Sequence, residues 1–405
     1  MAANNIKNFF PALKNNKNLV YLDSAAKALT LNKVIEKEKE YYEKYPANVF
    51  RGLYGLSIKA TEEYEATRKI VAKFLGAKEN EIVFTSGTTQ GLNTIANGIK
   101  KFLKKGDEII VSVAEHHSNF VPWQVLAKEK GIKFKVLNIT SDGKIDIKNL
   151  EKSITKKTKV ISLFHISNVT GAENNISKIA KIIKKKNKEC VFVVDGAQSA
   201  PHKKIDVKKL GCDFFVFSAH KMLGPTGIGI LWGKYKLLEK LEPQNYGGEM
   251  ISFVKIKNTQ FKDSPHKFEA GTPNIAGVIA FKEALLFLEK FGFNKIQKIE
   301  KSLVSYCFHK LKERFKNKIE IIGPQNAKNR HSLISFSIKG LHPHDIADIL
   351  AKDNICVRAG HHCCQPLHNY LNLEASIRAS FYLYNTKEDV DEFINSLEKA
   401  IKTFY

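Results

Sequence analysis

A lysine placed just after an apolar strand is the residue from which the chemistry of this chain can be read. In FFVFSAHKMLGPTGIG (residues 214–229), Ser218, His220 and Lys221 follow a continuous apolar run, and Gly224, Pro225 and Gly227 then force a tight path. Loss of water around an amine at such a sheet edge lowers its pKa toward what Schiff-base chemistry needs. The segment VFVVDGAQSAPH (residues 191–202) puts Asp195 past the end of another apolar run, where ligands of open α/β sheets sit. A lone aspartate there also reads as a helix cap or turn former. In TSGTTQGLN (residues 85–93), a strand end runs through Gly87 into a helix, so Thr88 and Thr89 stand either as simple caps or as hydroxyl donors to an anion.

Together these residues meet the needs of pyridoxal 5'-phosphate: a lysine for the imine, an aspartate for the pyridine nitrogen and a cup for the phosphate. Two further segments add to the set. AEHHSNFVPW (residues 114–123) carries the adjacent His116 and His117. Adjacent side chains diverge and no carboxylate cluster accompanies them, so a ring stacked on a planar cofactor is a better use of His116 than metal ligation. VRAGHHCCQPLH (residues 357–368) sets His361 and His362 beside Cys363, where positive charge would lower the thiol pKa. A zinc site is the competing reading. It is disfavoured because four consecutive donors wrap poorly around one tetrahedral ion and no second ligand pair follows at finger-like spacing, so no metal is expected.

The elements that must position these residues follow from periodicity. From about residue 80, short β-rich runs (EIVFTS, EIIVSV, FKVLNI, VISLFHI, VFVVDGA, FFVFSA, GIGILWG) alternate with helical stretches. That is the pattern of an α/β domain with a mostly parallel sheet buried on both faces. After GTPNIAG (residues 271–277) the expectation changes to one long amphipathic helix, strands near SLISFSI and ICVRAG, and a closing helix from Glu388. The boundary is expected near residue 292, giving a large unit over 20–292 and a smaller α+β unit over 1–19 and 293–405, with the N-terminus folded back.

Composition bounds the function. With 405 residues, 43% hydrophobic and 26% charged, the chain is globular. Its formal charge of +24 comes from lysines scattered in short runs without interleaved aromatics, which reads as solvated helix faces, with neither nucleic acid nor membrane as partner. The six cysteines do not make a disulfide scaffold, and only the pair Cys363 and Cys364 stands out. No apolar run approaches the roughly 20 residues of a membrane span and the first residues lack a secretory pattern, so a cytoplasmic location is expected.

The ordered series YLDSAA, RGLYGLS, TSGTTQGLN, AEHHSNFVPW, HISNVTG, DGAQS, SAHKMLGPTGIG, FEAGTPN, RAGHHCCQPL and IRASFYLYNT resembles the cysteine desulfurases, in particular the SufS-like group of the class V aminotransferases. The resemblance implies the aspartate-aminotransferase-like fold, type I of the pyridoxal-phosphate enzymes, with a seven-stranded sheet. It implies that Lys221 binds the cofactor covalently, Asp195 pairs with the ring nitrogen, Gln198 meets the ring hydroxyl and His116 stacks on the ring. Thr88, Thr89, Ser218 and His220 would hold the phosphate, with Thr272 supplied across a homodimer interface. Asn168, Arg378 and Arg358 would meet the carboxylate of L-cysteine, and Cys363 would take its sulfur and pass it to an acceptor protein of the SufE or SufU type in iron–sulfur cluster assembly. A selenocysteine lyase acting on L-selenocysteine, or another class V activity, is the alternative. Relatives commonly carry histidines where this chain has Phe50 and Tyr54, and alanine where it has Cys364. His342 and His344 stand open as contacts for an acceptor or as surface and capping residues.

Overall fold

The structure, a computed structural model, describes residues 6–404. A short strand, β1 (Val20–Tyr21), is followed by the large sheet: β2 (Ile82–Thr85), β3 (Glu108–Ser112), β4 (Lys133–Leu137), β5 (Thr158–Phe164), β6 (Val191–Asp195), β7 (Phe214–Ser218) and β8 (Gly229–Gly233). Their spatial order is β2-β8-β7-β6-β5-β3-β4, and β8 is the antiparallel member, paired with both β2 and β7. All seven apolar runs singled out above form these strands. β3, β7 and β8 are buried at every position, as strands covered by helices on both faces must be.

Close backbone packing at one edge of the sheet prepares the site. A Cβ on Gly229 would lie 2.4 Å from Gly87 Cα, so the Gly87 turn can rest on β8 only because position 229 lacks a side chain. The helix Thr88–Ile99 starts directly from that turn. Next to β8, β7 and its neighbour β6 run parallel and deliver Ser218 and Asp195 to the same C-terminal edge.

Beyond residue 250 the hairpin of β9 (Ile251–Lys255) and β10 (Asn258–Phe261) projects with Phe253, Val254 and Ile256 exposed, an element the apolar pattern did not announce. The expected single long helix is two, Ile275–Phe291 and Phe293–Phe315. They are separated by Gly292 at φ 89°, a conformation that favours glycine and ends the first helix. A second sheet follows, of β11 (Ile319–Ile322), β12 (Leu333–Ile338), β14 (Arg358–Gly360) and β15 (Ser376–Ser380) in the order β11-β12-β15-β14. The segment ICVRAG is therefore split: β13 (Ile355–Cys356) pairs with β1, whereas β14 pairs with β15. The closing helix, Lys387–Lys402, is set by a capping box between Thr386 and Asp389.

Among the described residues the apolar core falls into three clusters, two packed on the large sheet and one on the second sheet. The N-terminal segment joins two of them: Phe10 packs edge-on to Tyr384 at 4.8 Å in a cluster on the large sheet, and Val20 and Leu22 belong to the cluster on the second sheet. The expectation for residues 1–5 lies outside the described residues. No described helix is long and apolar enough to cross a membrane.

Candidate active site

The C-terminal ends of β5, β6 and β7 open onto a cavity of about 510 Å³. It is lined by Thr88, Thr89, His116, Asn168, Asp195, Gln198, Ser218, His220, Lys221, Arg358, Cys363 and Arg378, so the tertiary structure brings together every residue to which the resemblance gives a cofactor, substrate or sulfur role except one. Thr272 lies elsewhere, exposed, with its hydroxyl 3.4 Å from Asn48 Nδ2.

Lys221 has no hydrogen-bond or ion-pair partner among the described residues, and burial holds its amine down to about 8, with nearby Asp195 opposing and Arg378 reinforcing the shift. Burial pushes the Asp195 carboxyl up; its Oδ1 accepts the Ala197 N–H at 2.9 Å. At the helix start, Ser218 Oγ accepts the Thr88 N–H at 2.8 Å and lies 2.7 Å from Thr88 Oγ1, while Thr89 Oγ1 meets Ser118 Oγ at 2.6 Å. Gln198 Nε2 donates to Ala25 O at 2.7 Å.

His116 is neutral: burial, aided by Lys221, holds it down to about 3, and its Nδ1 accepts the Ser118 N–H at 3.1 Å. The ring's proton therefore sits on Nε2. Beneath it lies a network the sequence reading missed. Glu115 is fully buried and pushed up to about 8 by that burial; it accepts from Ser112 Oγ at 2.5 Å and Asn119 Nδ2 at 2.6 Å. Only the fold could have shown that this charged residue faces the sheet.

Arg378 is 2% exposed, donating Nη1 to Asn168 O at 3.0 Å and Nη2 to Asp23 at 3.2 Å; its buried Nε–H has no partner. Asp23, present in YLDSAA but given no role above, also receives Arg358, with Nη2 at 2.9 Å. This carboxylate orders two guanidinium groups on the same wall of the cavity.

Cys363 is exposed on the loop after β14. His362 and Cys363 have φ of 52° and 54°, consecutive left-handed residues that are not glycine. The expectation that His362 supplies positive charge to the thiol is corrected, because burial holds its ring down to about 2 and so keeps it neutral. The cations coupled electrostatically to Cys363 are Lys221, Arg358 and Arg378. Cys364 turns the other way: fully buried, its thiol pKa is driven well up by that burial and its Sγ donates to Glu115 O at 3.3 Å. It is a packed neighbour, not a second exposed thiol. His342 caps the helix Pro343–Lys352, its Nδ1 accepting the His344 N–H at 3.4 Å. Among the described residues no three His, Cys, Asp or Glu side chains are grouped to hold a metal ion.

Residues 20–393 match the family described as aminotransferase class-V. Over the full chain, this sequence is 47% identical to a probable cysteine desulfurase of Halalkalibacterium halodurans, covering 99% of that protein. It is 44% identical to one of Staphylococcus aureus, over 98% of this chain and 96% of that one. A cysteine desulfurase structure from Thermococcus onnurineus superposes with a TM-score of 0.94 at 39% identity, over 99% of this chain and 98% of its own. One from Escherichia coli gives 0.92 at 38%, over 100% and 99%. With the seven-stranded sheet, the partnerless lysine and the aspartate beside it, these likenesses establish that the chain belongs to the class V aminotransferase family.

Proposed function

We propose that this chain is a cysteine desulfurase that uses pyridoxal 5'-phosphate and takes sulfur from L-cysteine onto Cys363. One observation carries the reading: an exposed thiol, Cys363, lines the same cavity as a partnerless lysine held at about 8 and a buried aspartate. The residues fit the cofactor. Lys221 is free to bond its aldehyde, Asp195 can meet the ring nitrogen, and His116 offers a neutral ring face. The Thr88, Thr89, Ser218 and His220 group stands at a helix N-terminus suited to the phosphate, and Gln198 can meet the ring hydroxyl.

When bound, pyridoxal phosphate supplies an electron-accepting ring that stabilises negative charge at the substrate's α-carbon. The chain's own residues do the rest. Arg378, whose guanidinium lines the cavity with Asn168 and Arg358, orients the substrate carboxylate. The Nζ of Lys221, once released, takes the α-proton. His116 is the poorer base, since Ser118 occupies its Nδ1 and Nε2 already holds a proton. The Cys363 thiolate attacks the substrate sulfur: an S–S bond forms, the C–S bond breaks with its electron pair going to carbon, and a proton completes alanine. A persulfide is left on Cys363.

In this reading the enzyme is cytoplasmic and of the SufS-like group, with residues 20–292 as the cofactor unit and 1–19 with 293–405 as the unit carrying the cysteine loop. It works as a homodimer, to which exposed Thr272 contributes a phosphate contact on the other copy, and it hands sulfur to an acceptor of the SufE or SufU type for iron–sulfur cluster assembly. Purified protein should absorb as a pyridoxal imine, change its spectrum on adding L-cysteine, and yield alanine and, with a thiol reductant, sulfide. Cys363→Ala should keep the colour and the spectral change but form no alanine. Normal turnover by that variant, or protein that cannot be charged with pyridoxal phosphate, would refute the proposal.

A further inference from the structure

The two consecutive left-handed residues that present Cys363 are costly for side chains with a Cβ and persist only where surrounding contacts over-determine them. Two such contacts hold the backbone: Asn168 Nδ2 donates to His362 O at 2.8 Å and His117 N donates to Cys363 O at 2.7 Å. A third runs through the His362 side chain, whose Nε2 lies 2.9 Å from Ser376 Oγ. That oxygen lies 2.9 Å from His368 Nε2, and His368 Nδ1 lies 3.1 Å from Cys364 O. All three side chains are buried, Ser376 and His368 completely.

The direction of this chain follows from its far end. A carbonyl only accepts, so His368 Nδ1 carries the proton, and a neutral His368 then offers a bare Nε2. Ser376 must donate its one proton there and has only lone pairs left for His362. His362 Nε2 therefore carries its ring's proton, and its Nδ1 is bare, which agrees with a buried Nδ1 that has no partner. The opposite tautomer of His362 would set two acceptors against each other at Ser376.

We propose that Ser376 and His368, neither of which lines the cavity, are positioning residues for sulfur transfer. By fixing the tautomer and place of the His362 ring they hold the left-handed turn that aims Cys363 into the cavity. The proposal rests on Cys363 being the sulfur acceptor. The chain closes on itself, since His368 returns to the carbonyl of Cys364, the residue after the nucleophile. Both ends of the turn are thus anchored to one serine on β15.

Such an anchor acts on the step that uses Cys363 and leaves earlier steps alone. In holoenzyme carrying Ser376→Ala, the cofactor absorbance and the concentration of L-cysteine that half-saturates the spectral change should stay within about twofold of native. Single-turnover alanine formation and alkylation of Cys363 by iodoacetamide should each change by about tenfold or more, as expected when a reacting group is misplaced. His368→Asn cuts the same chain from its other end and should behave alike, which also provides the test if Ser376→Ala does not fold. The double variant should be no slower than the slower single, because one chain can be broken only once. Native-like alanine formation in either folded single variant, additive losses in the double, or equal loss of the spectral change would overturn the proposal. Absence of alanine from the native enzyme would instead overturn the role of Cys363 itself.

Discussion

Raising the pH over the range in which Lys221 gives up its proton should switch on its reaction with pyridoxal phosphate, and the midpoint measures how dry the amine is. Burial holds Lys221 at about 8 against an ordinary lysine value of 10.5. At pH 8 about half of such an amine is free, against roughly 0.3% for a solvated lysine, a gain of about 150-fold in the reactive form. Below pH 8 the amine is protonated and imine formation slows about tenfold per unit. The assay is the rate at which apoenzyme, stripped of cofactor, forms the imine absorbance with added pyridoxal phosphate, followed from pH 6 to 10. A variant separates the causes. Asp195 is the anion that raises the Lys221 value, so Asp195→Asn should move the midpoint further down. A native midpoint above about 9.5 would mean a hydrated amine and would refute the desolvation argument; an upward shift in Asp195→Asn would refute the electrostatic one.

Three other outcomes follow from the geometry. Glu269, in the FEAGTPN segment, binds fully buried Arg68 through two bonds of 2.8 and 2.9 Å and accepts the Phe84 N–H at 2.8 Å. Glu269→Ala leaves Arg68 ion-paired to Glu65 alone, which holds Nε at 2.9 Å, and strips the Phe84 N–H of its acceptor, so it should cost about 1–3 kcal/mol in denaturant unfolding; a cost below about 0.5 would show that water or Glu65 takes over both bonds. Gly229→Ala places a methyl 2.4 Å from Gly87 Cα and must displace the Thr88 turn, so the affinity for pyridoxal phosphate, measured by equilibrium dialysis, should fall about tenfold or more. Cys364→Ala removes only a weak thiol donor and a sulfur-sized volume, so alanine formation should stay within about twofold of native and stability within about 1–2 kcal/mol.

The second sheet was harder to read than the first. β11 is four residues long and only half-buried, and β15 lies in a stretch whose polar Ser376, Arg378 and Ser380 hide its strand character. Those three residues are nonetheless completely or almost completely buried, because each has hydrogen-bond partners on other elements: His362 and His368 for Ser376, Asp23 for Arg378, and the backbone at Leu22 and Ala25 for Ser380. The projecting hairpin of β9 and β10 gave no apolar alternation, since its positions are mostly exposed on both faces.

What this sequence determined by itself was whatever local order encodes. Short apolar runs specified seven strands, and their ends located Asp195, Ser218 and Lys221 at one edge of a sheet, because chain direction in parallel strands repeats. Tertiary structure alone decided the charge states and directions. His362 is neutral because it is buried, whereas its position beside Cys363 suggested a cation; Cys364 points to Glu115 and Cys363 to the cavity, though the two are adjacent and chemically alike. Asp23 joins Arg358 and Arg378 across more than 330 residues of chain. Periodicity records which face of an element is buried, but desolvation and hydrogen-bond direction depend on what the opposite element brings to that face, and this is known only once distant segments have packed.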